Sequence, residues 1–231
     1  MIHRLAWLAI EGEDEAAVRS FYGDVLELDR SGNDTFVAGD TELHLRRPGV
    51  TSPGGAHVHF AFTTGADALG HWRATLEAYG DVVSHDFGGF ESLYVVDPSG
   101  HCVEVANRGA SGRSLTGIFE VVLAVENLNR AIRRYEAIGF TTTSRSDNRP
   151  RVRLTVGPFD LELWEPHRGL ADALPGAHVD LGFVADADAA TTAAVDAGYT
   201  PVGEHSVMDP DGHRIGFRDE ADRCRRRCRA E

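Results

Sequence analysis

The chain has 231 residues, which is enough for two domains of ordinary size. Its 36 acidic residues outweigh its 23 basic ones, none of which is a lysine, and the formal net charge is −13. This balance argues against a nucleic-acid partner, because phosphate contacts need a basic face. The lack of lysine excludes Schiff-base chemistry, which needs a deprotonatable amine.

Membrane and secretory segments are not indicated by the sequence. No stretch approaches the apolar length that crosses a bilayer, and the short apolar run at 5–10 leads directly into acidic residues, unlike a secretory signal. The three cysteines do not form a disulfide framework, which favours a reducing compartment. We therefore expect a cytoplasmic protein with no membrane partner, and its acid-rich, lysine-free composition is compatible with a halophilic source.

The first half of the chain, residues 1–108, predicts two units that each consist of a strand, a helix and three further strands. In chain order, we expect strand 3–10, helix 14–28, strands 35–37 and 42–46, strand 57–63, helix 66–79, and strands near 82–86, 93–96 and 102–106. Residues 109–116 are polar and rich in Gly and Ser, which is typical of a linker.

The second half, residues 117–219, repeats this order. We expect strand 119–125, helix 128–137, strands to Trp164, strand 178–184, helix 188–197 and strands to Phe217. Residues 220–231 predict a disordered basic tail. The fold class is therefore α+β, built from four βαβββ modules.

Sequence echoes connect the two halves. GAHVHFAF at 55–62 returns as GAHVDLGF at 176–183, DPSGH at 97–101 returns as DPDGH at 209–213, and GDTELHLRRP at 39–48 returns more loosely as GPFDLELWEP at 157–166. The echoes place three residues of the first half, His44, His59 and Glu104, opposite Glu162, Asp180 and Gly216 of the second.

Strand alternation places these three candidate ligands on one face of a sheet. Phe60 and Phe62 are apolar and should face the helices, so that His59 faces the other side. His44 and Glu104 alternate with apolar neighbours in the same way. Two imidazoles and one carboxylate are the ligand set of open, catalytically usable metal sites, so the sequence predicts a metal centre at His44, His59 and Glu104.

The module order and motifs resemble the vicinal oxygen chelate superfamily, which includes glyoxalase I, extradiol ring-cleavage dioxygenases, fosfomycin-resistance enzymes and bleomycin-binding proteins. The resemblance lies in Phe21-Tyr22 running to Leu26-Glu27-Leu28, in the strand His59 to Phe62, and in the closing segment Asp97 to Glu104. It implies that paired modules form cup-shaped barrels, here one from 1–108 and a degenerate one from 117–219.

The resemblance also implies four metal-ligand positions per barrel. In the first barrel they map onto Leu5, His44, His59 and Glu104, so that Leu5 departs from the ligand pattern. Glyoxalase I uses all four positions, whereas the ring-cleavage enzymes use the first, third and fourth. In the second barrel they map onto Glu120, Glu162, Asp180 and Gly216, and we expect Arg151 or Arg153 to neutralise its carboxylates.

The resulting hypothesis is a metal-dependent enzyme that holds neighbouring oxygens of a small-molecule substrate on divalent Fe, Mn, Ni, Co or Zn. Arg46 and Trp7 are expected to contact the substrate, and Tyr94 and His57 are candidate catalytic residues. Three of these residues have a structural alternative: packing for Tyr94, a supporting role for His57, and an ion pair with Glu42 for Arg46. Glyoxalase-like isomerisation and ring-cleaving oxygenation both remain open.

A different class of function is a metal-free binding or sequestration protein that resembles the bleomycin-resistance members. Leu5 at the first ligand position and the degenerate second barrel favour this alternative. The sequence is also compatible with a homo-oligomer.

Overall fold

The computed structural model describes residues 1–12, 14–47, 58–146, 148, 150–165 and 179–221. Four modules follow one another along the chain. Module 1 contains β1 (Arg4–Glu11), α1 (Glu15–Ser20) continued by a π-helical turn (Phe21–Val25), β2 (Asp29–Gly32), β3 (Thr35–Ala38) and β4 (Thr41–Arg46). Module 2 contains β5 (His59–Gly65), α2 (Leu69–Tyr79), β6 (Val83–Asp86), β7 (Glu91–Val96) and β8 (Cys102–Gly109).

The second half repeats this order with helices close to those that the sequence predicts. Module 3 contains β9 (Gly117–Ala124), α3 (Leu128–Ala137), β10 (Thr141–Ser146), β11 (Arg151–Val156) and β12 (Phe159–Trp164). Module 4 contains β13 (Val179–Val184), α4 (Ala187–Asp196), β14 (Thr200–Gly203), β15 (Ser206–Met208) and β16 (Arg214–Arg218). The predicted α+β class with four βαβββ modules is confirmed. Among the described residues, no helix has the length and apolar character that a bilayer crossing requires.

The modules pair differently from the expectation that each half of the chain closes its own barrel. Sheet A has the strand order β14-β15-β16-β13-β1-β4-β3-β2 and joins module 1 to module 4. Sheet B has the order β10-β11-β12-β9-β5-β8-β7-β6 and joins module 2 to module 3. The junctions are antiparallel pairs, β1 with β13 and β5 with β9. Residues 1–108 and 117–219 are therefore not two separate barrels.

The predicted linker explains why modules 2 and 3 share a sheet. The Thr116 amide donates to the Thr63 carbonyl, and the Gly112 amide donates to the Asp67 carboxylate. The indole of Trp72 donates to the Arg113 carbonyl. These bonds hold residues 110–116 against module 2 and lead the chain from β8 directly into β9, beside β5. The linker thus lies within one barrel.

The helix faces of both sheets meet in one hydrophobic core. Leu8 and Ile10 of β1 and Phe60 and Phe62 of β5 are fully buried there, as the strand alternation predicts. Burying a side chain of this size stabilises the fold by about 1.5–3 kcal/mol. The opposite side chains of the same strands are thereby turned to the polar faces of the sheets.

Two buried hydrogen bonds connect the sheets through the repeated Asp-Pro-x-Gly-His turns. The Tyr22 hydroxyl donates to Asp97 at 2.7 Å, which links module 1 to module 2. The Tyr135 hydroxyl donates to Asp209 at 3.0 Å, which links module 3 to module 4. Strand pairing therefore joins modules within each sheet, whereas the tyrosines join modules of different sheets.

Each sheet curls around its polar face. Arg108 of β8 approaches Asp160 of β12 to 3.7 Å, although two strands separate β8 from β12 in sheet B. In sheet A, Arg218 of β16 approaches Glu42 of β4 to 3.4 Å across the same number of strands. Three strand spacings in a flat sheet would amount to about 14 Å. We call the enclosed polar faces of sheets A and B cup A and cup B.

Candidate metal centre

Three acidic and imidazole side chains converge in cup B from three adjacent strands. His59 lies on β5, Glu104 on β8 and Glu120 on β9, and one ligand atom of each lies within 4.8 Å of the others. Ala61 of β5 pairs with Glu104 on one side and with Glu120 on the other. Its small, fully buried side chain lies between the two carboxylates in the strand register.

Hydrogen bonds fix the orientation of this group. His59 Nε2 lies 2.9 Å from Glu104 Oε2, and the Ser92 hydroxyl donates to Glu104 Oε1 at 2.6 Å. His59 Nδ1 is buried and has no hydrogen-bond partner among the described residues. Buried polar atoms are rarely left unpaired, so this nitrogen marks a place where a further group would be bound.

A fourth carboxylate, Glu162 of β12, lies beside the group. Arg153 donates to Glu162 at 2.8 Å and to Glu120 at 2.9 Å, and the Trp164 indole donates to Glu162 at 2.9 Å. Arg151 lies 3.6 Å from Glu162. The expected neutralisation of these carboxylates by Arg151 and Arg153 is therefore present, but it occurs in the cup that also contains His59 and Glu104.

The protonation of two groups in cup B is shifted by this crowding. Burial, together with the neighbouring carboxylates Glu162 and Glu104, raises the pKa of Glu120 to about 7, against the opposing effect of Arg153. Burial and the Glu104 carboxylate raise the pKa of Tyr94, whose ring lies 5.7 Å from that of His59. Tyr94 is thus held as a neutral phenol next to the group, where it can donate a hydrogen bond.

The predicted ligand His44 does not join His59 and Glu104. It lies on β4 in cup A, where its Nε2 is 3.0 Å from Glu42 and its Nδ1 is 3.3 Å from the Thr35 hydroxyl. The predicted group of three ligands does not form, because β4 pairs with β1 and not with any strand of module 2. Glu162 occupies the corresponding position in cup B, as the sequence echo indicates.

The strand register also corrects the first ligand position of module 1. Glu120 pairs with Ala61 across the β5–β9 junction, and Trp7 pairs with Gly182, the echo of Ala61, across the β1–β13 junction. Trp7 therefore occupies the place of Glu120, whereas Leu5 lies in the hydrophobic core. A register shift between Leu5 and Trp7 in the β1–β13 pair displaces the expected position, and such irregularities cannot be read from alternation alone.

Trp7 fills the centre of cup A. Its indole lies against Gly182 and Gly216, and a Cβ built on Gly182 would overlap the ring. The guanidinium of Arg218 covers the ring at 5.2 Å and is also 3.4 Å from Glu42. The indole and the guanidinium thus come from the positions that Glu120 and Ala106 occupy in cup B.

The remaining predicted site residues are distributed over different places. Arg46 lies in cup A and forms ion pairs with Asp180 at 2.6 Å and Glu11 at 3.4 Å. Arg46 and Trp7 therefore do not line cup B, and their expected substrate contact has no support at this centre. His57 lies outside the described residues.

Sequence reasoning missed that Glu120 and Glu162 belong with His59 and Glu104. Both carboxylates were assigned to a second, degenerate barrel, because neighbouring modules were paired within each half. The useful signal was the short stretch 109–116, because a short connection favours neighbouring elements, and here it leads from β8 into β9 of the same sheet.

Comparisons with known proteins agree with this architecture. No protein-family model matches the sequence, and no curated protein matches it. Among solved structures, glyoxalase I from Zea mays is similar with a TM-score of 0.66 at 17% identity, over 96% of this chain and 94% of that chain. A protein proposed to be a dioxygenase, from Bacillus subtilis, is similar with a TM-score of 0.65 at 14% identity, over 94% of this chain and 85% of that chain.

The chain has the vicinal oxygen chelate fold. Because these similarities span almost the whole of both chains, the four-module arrangement is shared and not only a single module. At this level of identity the similarity establishes the fold, and the function has to be argued from the side chains of cup B.

Proposed function

We propose that the protein is a metal-dependent enzyme of the vicinal oxygen chelate type, with cup B as its single active centre. The observation that carries this proposal is the convergence of His59, Glu104 and Glu120 from three strands within 4.8 Å. Glu162 completes the four ligand positions that the fold provides in one cup.

The residues fit a divalent cation. Four carboxylates line the cup, from Glu104, Glu120, Asp160 and Glu162, and Arg153 is the guanidinium that hydrogen-bonds two of them. A buried carboxylate with a pKa near 7 lacks sufficient positive charge around it. A divalent ion would supply that charge, and His59, Glu104 and Glu120 are the residues that would hold it.

The donor set narrows the expected metal. Sites with two imidazoles and one carboxylate are typical of non-haem iron oxygenases, whereas carboxylate-rich sites suit harder ions such as Mn²⁺. Cup B contains one imidazole and several carboxylates, which favours Mn²⁺, with Zn²⁺, Ni²⁺, Co²⁺ and Fe²⁺ as further candidates. When bound, the ion would act as a Lewis acid on two neighbouring oxygens of the substrate.

The protein's own groups would position the substrate and move protons. Ser92 keeps Glu104 oriented through a 2.6 Å hydrogen bond, which limits its rotation. Tyr94 remains protonated and can donate to a substrate oxygen. Among the two activities that the sequence left open, isomerisation by proton transfer is the better fit. The case for an oxygenase depended on a second imidazole, which lies in cup A.

Metal analysis is the direct test. We expect protein purified without chelators, or reloaded with Mn²⁺, to hold about one ion per chain. The double variant His59→Ala/Glu120→Gln should hold none, and His44→Ala in cup A should not change the metal content. Full metal content in the double variant, or none in the wild-type protein, would contradict the proposal. An α-ketoaldehyde–thiol adduct and catechol would then be compared as substrates, with turnover of the adduct expected.

One observation favours a second candidate, a metal-free binding protein. Arg153 already bridges Glu120 and Glu162, so a guanidinium partly compensates the carboxylates without any metal. The variant Arg153→Met separates the two candidates. If a cation belongs in the cup, removal of the competing guanidinium should tighten Mn²⁺ binding. If the cup is metal-free, the variant should bind no metal and lose stability.

A further inference from the structure

We propose that Arg108 determines the substrate specificity of cup B by binding an anionic group of the substrate, while the apolar body of the substrate lies between this guanidinium and the metal ligands. This inference rests on the proposed function of cup B and deepens it. It assigns the substrate to a chemical class: a small molecule with two neighbouring oxygens at one end, an apolar middle and a negative charge at the other end.

Arg108 lies on the same strand face as the ligand Glu104. It is the fourth residue after Glu104 on β8, with Ala106 between them, and side chains at every second position share a face. Its guanidinium is held between two phenyl rings, 4.3 Å from the centre of Phe119 and 5.1 Å from the centre of Phe90. Such stacking orients the plane of the guanidinium and leaves its N–H edge available for an oxygen ligand.

The acid nearest to Arg108 is not firmly engaged by it. Asp160 lies 3.7 Å away, which is an ion-pair distance and too long for a hydrogen bond. Asp160 instead accepts a 2.8 Å hydrogen bond from the Thr155 hydroxyl. The Arg108 side chain also keeps 34% of its surface exposed. A substrate anion can therefore form the bidentate contact with Arg108 that Asp160 does not form.

A small apolar cluster separates Arg108 from the metal ligands. Ala61, Ala106 and Phe119 are buried together, and Phe90 packs against them. Ala61 lies directly between Glu104 and Glu120 in the strand register, so the cluster begins at the ligand group and ends at Arg108. Apolar pockets with a few placed polar groups are typical of small-molecule sites. Phe90 is only partly buried, and it gives this cluster the surface for the body of the substrate.

The hairpin between β6 and β7 extends this apolar surface to the solvent. Phe87 stacks on Phe90 with ring centres 4.9 Å apart, and half of the Phe87 surface is exposed. The turn requires a residue with positive φ, and Gly88 provides it. The two phenyl rings thus form one continuous wall from the rim of the cup to Arg108.

Cup A contains an arginine, Arg218, to which we do not assign this function. Gly216 is the echo of Glu104, so Arg218 is the echo of Ala106 and not of Arg108. Arg218 lies one step closer to the centre, over Trp7, and is 6% exposed. In cup B the corresponding residue is an alanine, Ala106, and the arginine lies farther out, with 34% of its side chain exposed.

A pair of probes that differ by one carboxylate tests the inference. Catechol and 3,4-dihydroxybenzoate share the neighbouring oxygens, and their affinities for Mn²⁺-loaded protein can be measured by calorimetry under nitrogen. We expect the wild-type protein to bind 3,4-dihydroxybenzoate at least tenfold more tightly than catechol. Arg108→Met should reduce this preference below twofold, and Arg108→Lys should keep part of it. Unchanged preference in Arg108→Met, or no preference in the wild type, would overturn the inference.

Two further arms keep the result interpretable. Arg133→Met removes an equal charge from an exposed position on α3 and should retain the tenfold preference. If the protein retains no metal at all, the proposed function fails, and the role of Arg108 is then decided by titrating metal-free protein with benzoate. Benzoate binding that Arg108→Met loses supports the inference, whereas equal binding or no binding overturns it. Circular dichroism checks that each variant is folded.

Discussion

Cup A and cup B are built from equivalent strands, yet their centres hold opposite kinds of side chain. Cup B has Glu120 and Glu104 at two positions where cup A has Trp7 and Gly216. In cup B, ligand atoms of Glu104 and Glu120 lie within 4.8 Å of each other, whereas in cup A the Trp7 indole lies against Gly182 and Gly216. These two differences, together with Asp180 in place of His59 and Arg218 in place of Ala106, distinguish the acidic centre of cup B from the packed interior of cup A.

The charges differ between the cups. In cup A, Arg46 pairs with Asp180, and Glu42 contacts His44 and Arg218. The hydrogen bond from His44 is the largest cause that lowers the pKa of Glu42 to about 2, although burial raises the pKa of Asp180. In cup B the pKa of Glu120 rises to about 7. Because Trp7 and Arg218 pack together in the centre of cup A, we expect the chain to bind one cation, in cup B.

The substitution Glu104→Gln should have the largest effect and is specific to cup B. The amide removes one negative ligand and replaces with an NH2 group one of the two oxygens that contact Ser92 and His59. Changes to groups behind metal ligands typically cost about 10–100-fold in affinity, so loss of a ligand should weaken Mn²⁺ binding by at least about a hundredfold. Calorimetric titration measures this.

The matched control for Glu104→Gln is Glu42→Gln in cup A. It removes the same charge from the other cup and should leave Mn²⁺ affinity within about twofold of the wild-type value. Equal losses in both variants would show that metal retention depends on total charge and not on cup B.

Stability as a function of pH should differ between the two cups. The pKa of Glu120 in the folded protein, about 7, is above its ordinary value of 4.5. The metal-free folded protein therefore binds an extra proton between these values, and its free energy of unfolding falls as the pH rises from 4.5 to 7, by up to about 3 kcal/mol. Glu120→Gln should remove this slope in urea unfolding experiments.

Glu42 should have the opposite dependence in a different window. Its pKa is lowered from 4.5 to about 2, so its contribution to stability is present above pH 4.5 and is lost as the pH falls toward 2. Glu42→Gln should leave the slope between pH 4.5 and 7 unchanged. If the free energy of unfolding of Glu120→Gln still falls with pH above 4.5 as in the wild type, another group causes this dependence.

The packing of cup A is tested by Gly182→Ala. The added methyl group would overlap the Trp7 indole, and overpacking of this kind typically costs about 1–3 kcal/mol. If the clash with Trp7 is the cause, Trp7→Ala in the same chain should make the alanine nearly harmless. Additive costs in the double variant would disprove the contact. The counterpart Ala61→Gly in cup B should lower stability without changing cup A.

The sequence was sufficient for the modules but not for their pairing. Echoes and alternation predicted the four βαβββ units, and they placed Phe60 in the core and His59 on the polar face. The pairing of the modules could not be predicted from the preference that modules adjacent in sequence pack together. Module 2 satisfies this preference by pairing either with module 1 or with module 3. Residues 110–116 select the arrangement in which module 2 pairs with module 3, and module 1 is left to pair with module 4.

The candidate site was therefore predicted in part. His59 and Glu104 come from one module, so no assumption about pairing affects them. The prediction that His44 joins them is wrong, and so is the placement of Glu120 in another barrel. Both predictions depend on which strand pairs with β5. The position of Trp7 depends on a register shift of β1, which side-chain alternation does not reveal.

The smallest predicted effects on metal binding concern the two tyrosines that connect sheets A and B. Tyr22→Phe leaves a buried oxygen of Asp97 without its hydroxyl donor and should lower the free energy of unfolding by about 1.5–3 kcal/mol. Tyr135→Phe should cost less, because the same oxygen of Asp209 also lies 2.9 Å from His213 Nδ1. Urea unfolding compares the two variants.

Both should retain Mn²⁺ affinity, because strand pairing within sheet B, and not contact between the sheets, assembles the ligands. If Tyr22→Phe loses metal under conditions in which the variant is fully folded, the geometry of cup B depends on module 1.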